Sequence, residues 1–170
     1  MSIQRLYSIS IVLTALVAVF THSGAASAIN ADPIAKISLQ AKLFNAKSGT
    51  LSADVLAPGA PELFNVVARD DPSTSSLVLV AVALADGKVL PSDARVRLVA
   101  RERASRGARA RTVVDKTIPL GAVSQGGTTH MAFWLPDVGC RAVDLKATLT
   151  VARQRISLAA NSVIPFACNE

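Results

Sequence analysis

Apolar and polar residues alternate with a period of two along most of this chain. In "KISLQAKLF", Ile37, Leu39, Ala41 and Leu43 alternate with Lys36, Ser38, Gln40 and Lys42, which predicts a half-buried strand. The loop "NAKSG" follows. Leu51, Ala53 and Val55 then alternate with Thr50, Ser52 and Asp54, so the two runs predict a hairpin. "LVLVAVALA", residues 77–85, is continuously apolar and predicts a central strand buried on both faces. Further strands are predicted over 112–119, 129–135, 144–151 and 155–166, the last interrupted near Asn161 and Ser162. Leu145, Ala147, Leu149 and Val151 alternate cleanly with Lys146, Thr148 and Thr150. Pro165, between Ile164 and Phe166, predicts an edge strand, because proline lacks a ladder donor. Residues 57–76 carry Pro58, Pro61 and Pro72 and read as a long surface connection. Leu63, Phe64, Val66 and Val67 within it are too apolar for free solvent, so part of it must pack on the body. Asp86-Gly87 marks a turn.

The N-terminal stretch departs from this rhythm. Arg5 precedes an apolar core from Ile9 to Phe20, and Ala26-Ser27-Ala28 supplies small residues at a cleavage position. That order is the pattern of a secretory signal peptide over residues 1–28. The alternative is an uncleaved anchor, but the apolar core is short for a bilayer span. Residues 29–170 then form one domain of ordinary size, with no further run of transmembrane length. The product is expected to be exported, to a periplasm or the extracellular space. Cys140 and Cys168 are its only cysteines, and in an oxidising compartment such a pair is expected to form one disulfide.

Seven to nine short strands separated by turn signals predict an all-β fold, an antiparallel β-sandwich. At the level of pattern the chain resembles immunoglobulin-like and fibronectin-like sandwich domains of bacterial secreted proteins. It departs from the antibody domains in two respects. No tyrosine follows Tyr7, so there is no tyrosine corner, and the cysteines bracket the C-terminal third. The resemblance implies a fold and brings no activity with it.

The strongest chemical signal is "RVRLVARERASRGARARTV", residues 95–113, which holds seven arginines. As a strand, 95–103 places Arg95, Arg97, Arg101 and Arg103 with Val99 on one face. Val96, Leu98 and Ala100 face a core, with Glu102 at the end. Arg106, Arg109 and Arg111 extend the basic stretch through a turn. A helix over 94–106, capped by Ser92 or Asp93 and ended by Gly107, is a rival local reading. Guanidinium forks suit phosphate and carboxylate, and a row of them can track a charged polymer. The competing reading is a solvated strand face whose charges only block sheet-to-sheet aggregation.

Other chemistries find little support. His130 is the one histidine after residue 28, and on a strand it points away from its neighbour Met131. No metal site and no cofactor are therefore expected. No Gly-x-Ser-x-Gly elbow is present, and the adjacent acids Asp70-Asp71 stand beside Pro72 as ordinary turn residues. Trp134 shares a face with His130 and is expected to pack under a loop, with a ligand contact as the alternative. The sequence thus predicts a non-enzymatic, exported binding module. Its partner would be an anionic envelope polymer, a lipid headgroup or an acidic protein surface, met through the seven arginines. Nucleic acid fits the export signal and the few aromatic residues poorly. Two alternatives stand beside it: an accessory protein docking through an edge strand or the 57–76 loop, and a hydrolase with an unrecognised site.

Overall fold

A computed structural model of the chain describes residues 34–168, apart from 71, 86–87, 90, 106 and 121–126. The expected leader, the Asp86-Gly87 turn and Arg106 lie outside the described residues. Two antiparallel sheets face each other. One has three strands in the order β1 (Ile34–Phe44), β2 (Ser75–Leu84) and β5 (Thr128–Pro136). The other has four, in the order β4 (Arg111–Pro119), β3 (Ala94–Glu102), β6 (Arg141–Val151) and β7 (Ile156–Ala167). In a constant-type immunoglobulin domain the fourth strand joins the sheet of the first, second and fifth. Here β4 pairs with β3 on the opposite sheet.

Alternation sets the core. Val78, Val80, Val82 and Leu84 point inward from β2 and meet Met131, Phe133 and Leu135 of β5, all buried. In the other sheet, three of the opposed inward pairs of β3 and β6 join an alanine to a larger residue, Ala100 with Leu145, Leu98 with Ala147 and Ala94 with Val151, and Val96 meets Leu149. All eight are buried, and at the three alanines the larger side chain opposite fills the space. Fully burying one such leucine or valine stabilises the fold by about 1.5–3 kcal/mol.

The helical alternative over 94–106 does not form, because β3 is paired along its length to β4 on one side and β6 on the other. The predicted interruption of the last strand is also absent. Asn161 and Ser162 sit in register with Lys146 and Leu145. β7 is an edge strand, as Pro165 required.

Two expectations are corrected. Residues 51–55 do not form a second hairpin strand. Only Leu51 bridges to Phe44, and the rest runs beside β1 as an irregular cap. The N–H of Leu43 donates to Ser52 Oγ and that of Ala41 to Asp54 Oδ1, each at 2.9 Å, while the N–H groups of Ser52 and Val55 donate back to the carbonyls of Leu43 and Ala41. Side-chain oxygens thus take ladder donors that would otherwise be open at a sheet edge. The second correction concerns β2. It is central, but only its inward face lies in the core. Leu77, Leu79 and Ala83 are half-buried on the outer face of the three-stranded sheet. Ala81 on that face is buried, and among the described residues no second layer covers it, so the continuous apolar run makes the outer face apolar.

The long connection packs on the body through buried Leu63 and Val66. Its N–H of Asn65 and the N–H of Ala167 exchange bonds across β7, with Ala167 donating to Leu63. Cys140 and Cys168 are bonded, with Cα atoms 4.8 Å apart. The bridge lies just past the last register pair of the β6–β7 hairpin, Arg141 with Ala167, and closes its open end.

A candidate anion-binding face on the four-stranded sheet

Strand register determines which outward residues become neighbours, so the outer face of the four-stranded sheet is read as rows across β7, β6, β3 and β4. One row is Val163, Asp144, Arg101 and Thr112, and the next is Asn161, Lys146, Val99 and Asp115. Then come Ala159, Thr148, Arg97 and Thr117, followed by Ser157, Thr150, Arg95 and Pro119. Successive rows lie ~6.5–7 Å apart along the strands, and neighbouring residues within a row ~4.8 Å. The first three rows line an open groove of about 630 Å³.

Charge within this face is partly self-neutralised. Arg97 grips Asp115 with both arms of its guanidinium, Nε to Oδ1 at 2.7 Å and Nη2 to Oδ2 at 2.6 Å. Arg103, just beyond β3, holds Asp144 in the same manner, with Nη2 to Oδ1 at 2.6 Å. The hydrogen bonds from Arg97 hold the Asp115 carboxyl below the usual carboxylate range, and those from Arg103 do the same for Asp144. The two guanidinium pKa values move up in return, for the same reason. Both pairs are exposed, so they fix geometry more than they stabilise the fold.

The seven arginines therefore divide. Arg95, Arg97 and Arg101 share the outward face of β3, and Arg103 continues it. Arg109 is exposed in the turn, and Arg106 lies outside the described residues. Arg111 turns the other way. It begins β4 opposite Glu102, on the inward side of the sheet. Glu102 is a core-facing acid only 3% exposed. Its Oε2 accepts from Arg111 Nε at 3.0 Å and from Arg141 Nη2 at 2.5 Å. Arg111 also donates to the carbonyl of Asp137, and Arg141 to that of Arg109. This end-cap ties β3, β4 and β6 together beside the disulfide. Among the described residues, Arg95, Arg101, Arg109 and Lys146 form no ion pair.

Lys146, Asn161 and the Thr148 hydroxyl, which complete the groove, carry no clustering signal in the sequence. The alternation around Lys146 and Thr148 marks them as outward. That they stand beside Arg101 and Arg97 depends on β3 pairing with β6, which is distant in sequence.

The remaining candidates lie elsewhere. His130 and Trp134 stand on the outer face of the three-stranded sheet, opposite Ala81 and Leu77. Trp134 is 44% exposed, and its ring meets that of Phe44 edge-on at 5.2 Å, so a strand residue is one of its covers. Cys140 is committed to the disulfide and is no free nucleophile. Among the described residues no three His, Cys, Asp or Glu side chains gather as metal ligands. No protein-family model matches the sequence, and no characterised protein matches it.

Proposed function

We propose that this protein is an exported, non-catalytic binding module that holds an anionic partner in the groove on its four-stranded sheet. One observation carries the reading. Arg101 and Lys146 are groove cations without a carboxylate of their own, while the acids of that face, Asp115 and Asp144, are engaged by Arg97 and Arg103. Arg101 and Lys146 are diagonal neighbours across β3 and β6, so their Cβ atoms lie about 7–8 Å apart. Two long stems at that distance can converge on one phosphate or carboxylate. Arg97 and Arg103 are already held beside them, so the side-chain entropy lost on binding is chiefly that of the two free stems. The leader-like N-terminus and the disulfide both belong with an oxidising compartment outside the cytoplasm. The strand order favours the fibronectin-like side of the sandwich resemblance, since β4 has left the sheet of β1, β2 and β5.

A second reading rests on β4. It is an edge strand paired only with β3, and most of its residues are exposed or half-exposed. A partner strand could add to it by main-chain hydrogen bonds. Salt separates the two readings, because a polyanion held by fixed cations is released as salt rises and strand addition is not.

The test is elution from a phosphate-bearing matrix. Arg101→Glu with Lys146→Glu should abolish retention. Arg153→Glu with Arg155→Glu, in the exposed turn between β6 and β7, makes the same charge change and should leave most of it. The formal net charge of +6 would make the two double variants alike if only the diffuse field mattered. Equal elution salt for the two folded variants refutes the groove.

A further inference from the structure

We infer that the groove is built for a carboxylated sugar ring, as found along acidic polysaccharides, and not for bare phosphate charge. The inference rests on the groove being the binding site, and narrows its ligand class. Three chemistries meet there within three adjacent rows. Arg101 and Lys146 supply unpaired positive charge. Val99, opposite Lys146 on β3, and Val163, 36% exposed on β7, supply apolar surface on either side of β6. Asn161 and Thr148 supply an amide and a hydroxyl that both donate and accept. Asp144 adds an ionised acceptor, since the guanidinium of Arg103 leaves some of its lone-pair sites open.

Each feature discriminates among anions. A polyphosphate would accept from the cations, the Asn161 amide and the Thr148 hydroxyl, but it would give the two valines and the amide oxygen no partner and would face the Asp144 carboxylate with like charge. A nucleic-acid base would need an aromatic platform, and the groove lining holds none among the described residues. A bilayer is flat and cannot bring headgroup charge and apolar surface together on the floor of a groove. A pyranose ring bearing a carboxylate matches all three sets. Along a short run of such rings, C–H faces lie on Val99 and on Val163, hydroxyls meet Asn161, Thr148 and Asp144, and a carboxylate sits between Arg101 and Lys146. The patch these residues bound spans three rows, ~13–14 Å along the strands, so it takes a short run of linked rings. A chain of such rings laid along β3 reaches Arg95, three rows on and also unpaired.

Calorimetry on the protein with four probes tests this: polygalacturonate, galacturonate monomer, neutral dextran and polyphosphate, at one ionic strength. Polygalacturonate should bind more tightly than polyphosphate at equal charge concentration, and dextran should not bind. Asn161→Leu with Thr148→Val leaves every charge in place. It should weaken polygalacturonate roughly thirtyfold, the worth of two lost hydrogen bonds, and weaken polyphosphate less. Monomer binding would point to a free sugar acid, and binding of the polymer alone to a polysaccharide, both within the class inferred. Polyphosphate binding as tightly as polygalacturonate, or the neutral double variant affecting both alike, overturns the sugar assignment while the anion groove stands. Failure of every anionic probe overturns both.

Discussion

Replacing Glu102 with glutamine keeps the shape of a buried side chain and removes only its charge. The Glu102 side chain is 4% exposed, and both arginine bonds fall on the same oxygen, Oε2. A glutamine oxygen in that place still accepts, but as a neutral group. Hydrogen bonds to charged groups contribute about 1.5–3 kcal/mol and neutral ones about 0.5–1.5 kcal/mol, so each bond loses roughly 1 kcal/mol. The two arginines then differ. The Arg111 side chain is 46% exposed, and water recovers part of its loss. The Arg141 side chain is 21% exposed and keeps an uncompensated charge mostly out of solvent. The total comes to about 2–3 kcal/mol. Urea unfolding followed by far-ultraviolet dichroism reads it directly, since with a slope of about 1–3 kcal/mol per molar the midpoint should fall by roughly 1 M. Arg141→Leu should then cost less in the Glu102→Gln background than in the parent, because its partner charge is already gone. A midpoint unchanged by Glu102→Gln would mean that the cluster is solvated and does not tie the three strands together.

Three further expectations follow from other parts of the molecule. Cys168→Ser with Cys140→Ser opens a loop of sequence separation 28 and should lower unfolding free energy by about 3–4 kcal/mol while the sheet signal in dichroism persists; a loss under about 1 kcal/mol would refute this. Asp115 and Asp144 have folded-state pKa values below their ordinary 3.8, so the stability of their pairs is present above that pH and is lost as pH falls through the depressed values. Acidification through those depressed values also frees Arg97 and Arg103, so retention on a sulfonate matrix should rise there, and rise less in Asp115→Asn with Asp144→Asn. N-terminal sequencing of protein from its native host should begin near Ile29, and a sequence beginning at Met1 would remove the export reading.

Much of the sandwich is legible in the sequence because its strands are short-range objects. Lys146 and Thr148 alternating with Leu145, Ala147 and Leu149 fix which face of β6 is wet, whatever its neighbours. Where a segment's environment comes from elsewhere, local pattern misleads. Residues 51–55 have strand alternation, but Ser52 and Asp54 find better use capping β1 with side-chain oxygens than extending a ladder. The run at 77–85 is apolar on both faces, yet only one face meets the second sheet. The arginine stretch shows the same limit. Arg95, Arg97 and Arg101 are correctly read as one outward row. The sequence does not show that Asp115 and Asp144 would occupy Arg97 and Arg103, or that Arg111 would turn inward to Glu102. Those partners lie 9 to 41 residues away and arrive only through strand register. Lys146 and Asn161 enter the candidate site by the same route.

The most direct measurement is nuclear magnetic resonance mapping of the protein titrated with a short polyanion, either oligogalacturonate or tripolyphosphate. Backbone amides report position independently of any substitution, so folding of a variant is not at issue. The largest shifts should fall on Val99, Arg101, Lys146, Thr148 and Asn161, which the register of β3, β6 and β7 brings to one groove. Shifts centred on Lys36 and Lys42 of the other sheet or on Arg153 and Arg155 in the turn, or no shifts at all, would contradict the assignment of the groove as the binding face.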